Sequence, residues 1–317
     1  MEPILRTVGL KKYFKTNSGL LHAVDDVNLS INRGETLGVV GESGCGKSTL
    51  GRVILRLLEA TEGQVFFEGQ DILKCSRRQM NELRRKMQII FQDPYASLNP
   101  RLTVSELIAE PMIVNRTCPS SAGMYQKVTR LMDTVGLAKR LANVYPHELD
   151  GGRRQRIGVA RALALDPAFV VCDEPVSALD VSIQAQILNL LMDLQDEMGL
   201  TYLFITHDLS VVKHISNEIA VMYLGQCVER APSQELFRNP LHPYTKALLA
   251  AIPVPDLDHC GNLKSLIKGE VTSPINPKPG CRFAARCGCR ADACTEGPLP
   301  LREVGPGHFV ACRLCGS

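Results

Sequence analysis

The run Gly41-Glu42-Ser43-Gly44-Cys45-Gly46-Lys47-Ser48 fits the spacing G-x-x-x-x-G-K-[ST], and Thr49 continues it. Glycines at these places let backbone N–H groups turn inward around an anion, and a helix that follows presents its positive end to it. Lys47 has the reach for the β and γ phosphates of a nucleotide, and Ser48 has the hydroxyl for a Mg2+ ion. A second set is Asp173-Glu174, two acids closing the apolar run 169–172. At a strand end, Asp173 is placed to hold Mg2+ directly or through water, and Glu174 to accept a proton from an attacking water. His207 follows the apolar run 201–205, at the carboxyl end of a strand where parallel sheets bind ligands. Taken alone, it reads equally as a structural or a functional histidine.

These residues need elements to hold them. Residues 5–8, 27–31 and 36–40 read as strands, with a turn at Asn32-Arg33-Gly34, and 64–72 as a strand pair around Glu68-Gly69. Helical spacing runs through 102–142 (Leu107, Ile108, Met112; Val128, Leu131, Met132, Val135), and further helices are expected over 48–58, 153–165 and 182–198. Buried strands at 169–172 and 201–205 alternating with helices argue for a parallel sheet covered by helices. From about residue 253 the texture changes. Prolines at 253, 255, 274, 277, 279, 298 and 300 make a long helix unfavourable there, so 270–317 reads as a small loop-rich module.

Composition narrows the classes. At 317 residues the chain has room for one large domain and a smaller one, and 45% hydrophobic with 22% charged residues is ordinary globular composition. A net charge of +3 is too mild to argue for nucleic acid. No run approaches the ~18 apolar residues of a membrane span, and residues 1–9 carry no signal-peptide core, so the expectation is an unexported chain in a reducing compartment. Of 12 cysteines, Cys45, Cys75, Cys118, Cys172 and Cys227 are scattered and read as small hydrophobes. Cys45, in the phosphate loop, is expected to be open to alkylation. Cys260, Cys281, Cys287, Cys289, Cys294, Cys312 and Cys315 crowd the end of the chain, which suggests metal or redox chemistry rather than disulfides. The basic run Arg77, Arg78, Arg84, Arg85, Lys86 reads as a solvated helix face.

In order along the chain, the motifs resemble those of ABC transporter ATPase subunits. Residues 41–49 resemble the Walker A loop, and Gln92 resembles the Q-loop glutamine that senses Mg2+ and the attacking water. Leu149-Asp150-Gly151-Gly152-Arg153 sits where that family has its LSGGQ signature. Asp173 and Glu174 match the Walker B pair, Ser177-Ala178-Leu179-Asp180 the D-loop, and His207 the switch histidine. Tyr13 or Phe14 matches the aromatic that stacks on adenine. Asp93-Pro94-Tyr95-Ala96-Ser97-Leu98-Asn99-Pro100-Arg101, Tyr145-Pro146-His147-Glu148 and His242-Pro243-Tyr244-Thr245 look like the oligopeptide/dipeptide importer branch. The resemblance implies a P-loop α/β ATPase core with an N-terminal antiparallel β portion, a helical subdomain at about 95–160 and a Cys-rich extension over 253–317. It implies an ATPase using ATP and Mg2+, with Ser48 and Gln92 at the metal. It also implies a peripheral subunit on the cytoplasmic face of the membrane, with two permeases, a second ATPase subunit and an extracytoplasmic solute-binding protein. A weakly hydrolysing regulatory subunit and a soluble non-transport ATPase are the competing readings.

Two departures matter. The signature's serine is Asp150 and its glutamine Arg153. In the family this loop grips the γ-phosphate on a partner subunit, so a carboxylate meets a phosphate charge. At ~4 Å and an effective dielectric of ~20 that repulsion is about 4 kcal/mol. The expectation is a heterodimer with one strong and one degenerate site. The tail spacing C-x5-C-x6-C-x17-C through Cys281, Cys287, Cys294 and Cys312 resembles a peptide-importer module that carries a [4Fe–4S] cluster in some members. Four thiolates hold such a cluster or zinc equally well, metal-free thiols are a third reading, and His308 is a zinc candidate.

Overall fold

The computed structural model describes residues 2–252 and 273–315. Cys260, Pro253, Pro255 and the expected boundary at 252/253 lie at or outside the edge of the described residues. The chain divides into two compact units: Met1–Asn32, Thr36–Lys74 and Phe204–Ser317 form the first, and Arg33–Glu35 with Cys75–Leu203 the second.

The first unit begins with β1 (Leu5–Thr16), β2 (Gly19–Val27), β3 (Ser30–Ile31), β4 (Thr36–Val40), α1 (Lys47–Ile54), β5 (Glu62–Phe67) and β6 (Gln70–Asp71). An antiparallel sheet runs in the order β2-β1-β5-β6, with β3 also paired to β1. It buries Leu5, Leu10, Val24, Val65 and Phe67, each contributing about 1.5–3 kcal/mol of apolar transfer. The single strand expected over 27–31 is two pieces: β2 ends at Val27 and β3 takes up at Ser30. The helix expected to reach Leu58 stops at Ile54, since Arg56 is also left-handed.

The second unit holds α2 (Arg77–Lys86), β7 (Met87–Ile90), α3 (Pro94–Ser97), α4 (Val104–Asn115), α5 (Ser121–Thr134), α6 (Gly151–Leu163), β8 (Phe169–Asp173), α7 (Val181–Met198) and most of β9 (Thr201–Ile205). Leu107, Ile108, Met112, Val128, Leu131, Met132 and Val135, the periodic positions of 102–142, are all buried, while Ile113 and Val114 off that face are exposed. All five basic residues of the run on α2 are exposed. β7 and β8 pair in parallel, and α6 packs on α4.

The chain then returns to the first unit through α8 (Leu209–Ile215), β10 (Glu218–Tyr223), β11 (Gln226–Pro232), α9 (Ser233–Arg238) and α10 (Pro243–Ala250), and ends in the hairpin β12 (Arg302–Gly305) and β13 (His308–Val310). β4 lies parallel to β10, and the antiparallel order continues β10-β11-β13-β12. The loop-rich module therefore adds two strands to the sheet that carries β4. No helix among the described residues is long and apolar enough to cross a membrane.

Candidate functional site

In the first unit every residue of β4 is buried, and the loop 41–46 leaves its end and enters α1 directly. Gly46, at φ +104°, is the N-cap of α1 and offers no side chain; a Cβ there would lie 1.9 Å from Ala23 O. The first-turn N–H groups of α1 consequently have no side-chain cap and face the loop. Lys47 is 4% exposed and donates to Gly41 O at 2.8 Å and Glu42 O at 3.0 Å, so its ammonium lies inside the loop. Cys45 is buried, and burial raises its thiol pKa despite the neighbouring Lys47. The expectation of an alkylation-prone Cys45 is corrected: a buried, neutral thiol is a poor nucleophile.

Tyr13 stands on β1 with its ring stacked on His22 at 3.9 Å, and its hydroxyl donates to Asp25. Burial and then that bond raise the Tyr13 pKa. One ring face of Tyr13 is thus covered by His22. His207 is exposed just beyond β9, and Asp208 caps α8 by accepting from Ser210 N at 2.8 Å.

In the second unit Gln92 Nε2 donates to Glu174 Oε2 at 2.9 Å across 82 residues of chain. Asp173 closes the fully buried β8 and is itself buried. Glu174 follows at φ +48°, a left-handed conformation that is costly for a side chain bearing a Cβ. Asp180 begins α7. Asp150 is the N-cap of α6: its Oδ1 accepts from Arg153 N at 2.8 Å, and Oδ2 lies 3.4 Å from Arg153 Nη1. Gly152 admits no side chain, since a Cβ would meet Ile183 Cγ2 at 2.7 Å; that packing ties the loop 150–153 to the start of α7.

Sequence reading missed Arg154. It is buried, donates to Pro146 O at 2.6 Å and His147 O at 3.2 Å, and lays its guanidinium 3.6 Å from the centre of the Tyr95 ring. One arginine thereby joins two stretches singled out separately, 93–101 and 145–148. The hint in the sequence was a second arginine directly after the glycine pair.

Cys281, Cys287, Cys294 and Cys312 line one small cavity together with His242 and Phe283. Burial pushes the Cys281 thiol up to about 11, and the other three thiols push it the same way. Among the described residues, no three His, Cys, Asp or Glu side chains are gathered closely enough to hold an ion as they stand. His308 is not at this cavity: its Nε2 pairs with the buried Glu229 at 2.8 Å, which also accepts from Leu241 N and His242 N. The zinc-ligand reading of His308 is corrected accordingly. The histidine at the thiols is His242, whose Nδ1 accepts from Tyr244 N at 3.1 Å, leaving its proton on Nε2.

Comparison with known proteins agrees with this geometry. The ABC transporter family model matches residues 24–177, and the model for the oligopeptide/dipeptide transporter C-terminal region matches 228–294. Among solved structures, the dimeric post-hydrolysis state of the ATP-binding cassette MJ0796 bound to ADP and Pi aligns at TM-score 0.67 and 30% identity, covering 72% of this chain and 98% of that one. The cbiO1 structure from Clostridium perfringens, part of the ABC transporter complex cbiONQ, aligns at 0.67 and 27% identity, over 75% of this chain and 92% of its own. The fold is that of an ABC ATPase cassette. The oligopeptide transport ATP-binding protein OppF of Bacillus subtilis (strain 168) is 53% identical over 313 residues, 98% of this chain and 96% of its own. The putative oligopeptide transport ATP-binding protein YkfD of the same strain is 52% identical, over 98% and 95%. The chain belongs to the oligopeptide/dipeptide family of ABC transporter ATP-binding subunits, and such subunits are ATPases coupled to transport.

Proposed function

We propose that this chain hydrolyses ATP at the cytoplasmic face of a cell membrane to energise import of oligopeptides or dipeptides. It would do so as a peripheral subunit with two permeases, a second ATPase subunit and an extracytoplasmic solute-binding protein, and with no nucleic acid. The reading rests on the Gln92–Glu174 hydrogen bond. That bond brings the Q-loop amide against the carboxylate that, in this reading, takes a proton from the attacking water. In this reading Glu174 is the general base, Lys47 and the loop N–H groups of 41–49 bind the phosphates, Tyr13 takes the adenine, and His207 contacts the phosphate end. Ser48, Gln92 and Asp173 would hold Mg2+, which supplies charge neutralisation on the transferring phosphoryl group. Residues 1–252 form the ATPase body, with its helical part at about 95–160, and 253–317 the extension. The test is Glu174→Gln in the reconstituted transporter: ATPase and peptide uptake should fall 10²–10⁴-fold with nucleotide still bound. An unchanged rate would favour a regulatory subunit.

The second ATPase subunit is read as supplying an intact signature, making an asymmetric pair. Asp150 and Arg153 are both about half exposed, so their pairing offsets only part of the carboxylate's charge. Single Glu→Gln variants at each subunit's base should abolish unequal shares of turnover; equal shares reject the asymmetry.

Thiol donors that line one cavity support a soft metal centre, and closing onto an ion would have to bring them nearer than they stand. Cys281, Cys287, Cys294 and Cys312 would be the ligands of a [4Fe–4S] cluster, with zinc the second choice, and the buried His242 Nε2, which has no hydrogen-bond partner among the described residues, could donate to one of their sulfurs. Such a centre would supply a crosslink that fixes a module poor in large apolar residues. Iron and sulfide analysis of anaerobically purified protein decides it; no iron there rejects the cluster.

A further inference from the structure

The phosphate loop carries a charge that works against its ligand. Over residues 41–48 the formal charges are Glu42 at −1 and Lys47 at +1, a sum of zero. A nucleotide triphosphate needs a net positive cradle. The missing charge comes from 244 residues further along the chain. Arg286 Nη1 lies 2.8 Å from Glu42 Oε2, and Nη2 3.2 Å from Oε1, a two-pronged pair in which the arginine side chain is only 7% exposed. Such paired geometry is the strong form of a charge-assisted bond. Nη1 also donates to the Tyr223 hydroxyl at 3.3 Å.

The same turn of chain holds the loop's backbone. Phe283 packs on the rings of Tyr244 (5.4 Å) and Tyr223 (5.3 Å), and the Tyr244 hydroxyl accepts from Glu42 N at 2.9 Å. Glu42 is thus held at its carboxylate by Arg286 of the cysteine-rich module and at its N–H by Tyr244, a residue of α10 that packs on Phe283 of that module. Arg282 of that turn reaches Asp25, which accepts from Tyr13, and also donates to Leu224 O.

We propose that Arg286 is a positioning residue for ATP: it cancels the Glu42 charge and holds that side chain turned away from the phosphates. The C-terminal module then completes the nucleotide loop of its own chain. ATP binding to the full-length subunit, with a fluorescent nucleotide analogue as probe, and the KM and kcat of the assembled transporter test this. Arg286→Gln should raise nucleotide Kd and KM about tenfold with kcat within twofold, Arg286→Lys should keep most of the affinity, and adding Glu42→Gln to Arg286→Gln should restore it to within threefold. A merely structural role for Arg286 would not be repaired by removing Glu42's charge, so failure of that rescue overturns the proposal. Glu42→Gln alone, which leaves Arg286 in place, should bind nucleotide at least as tightly as the unaltered chain. Weaker binding by that variant overturns the proposal even if Arg286→Gln does not fold.

Discussion

Asp150 shows how one residue serves two ends. As the N-cap of α6 it satisfies a backbone N–H of the first turn, and its negative charge suits a helix N-terminus. Serine caps as well and carries no charge. Asp150→Ser should therefore leave the melting temperature nearly unchanged while raising the ATPase rate of the assembled transporter severalfold. Asp150→Ala should cost about 1 kcal/mol in stability, read by denaturant unfolding, because the cap is lost. If Asp150→Ser leaves turnover as it was, the carboxylate does not face a phosphate. Cys45 makes a second prediction at this scale. Its buried, raised-pKa thiol should resist iodoacetamide in the folded protein at pH 7 and react on unfolding, as followed by mass spectrometry.

At the scale of elements, the junction of β11, α10 and the C-terminal hairpin is built around buried polar groups. Burial lowers the His242 pKa to about 4, whereas the unfolded chain has it near 6.5. Between those values the unfolded state binds the proton and the folded state does not. Stability should hold above about pH 6.5 and fall as the pH drops towards 4, by about 3 kcal/mol in all. Unfolding midpoints across that range measure it, and His242→Gln should flatten the slope. In the second unit, Arg154 is the matching joint. Truncating Arg154 to alanine frees the carbonyls of Pro146 and His147 and uncovers the Tyr95 ring, which should cost about 2–4 kcal/mol.

Across the whole molecule, Cys281 precedes Arg282 and Cys287 follows Arg286. The two arginines that reach Asp25 and Glu42 are thus each bonded to a cysteine of the shared cavity. Whatever holds those thiols also holds the arginines. Replacing Cys281 and Cys287 together with serine should raise the KM for ATP more than it changes kcat. Mg-ATP titration of the transporter checks this, and an unaltered KM would separate the module from the loop.

The chemistry was legible in the sequence because it depends on short, contiguous spacing. The phosphate loop, Asp173-Glu174 and His207 each sit within a few residues of the strand that carries them, and runs 36–40 and 201–205 became β4 and β9 as expected. Alternation and helical period likewise exposed the apolar faces of α4 and α5. Tertiary structure decided what depends on contact between distant segments. Gln92 against Glu174, Arg154 beneath Tyr95, His308 on Glu229 rather than on metal, and Arg286 on Glu42 are pairings of charge and shape that no local pattern encodes. The tail's part was hidden for the same reason: its few apolar residues promise no core, and its hairpin is placed by β13 pairing with the edge that β11 leaves, β12 pairing in turn with β13.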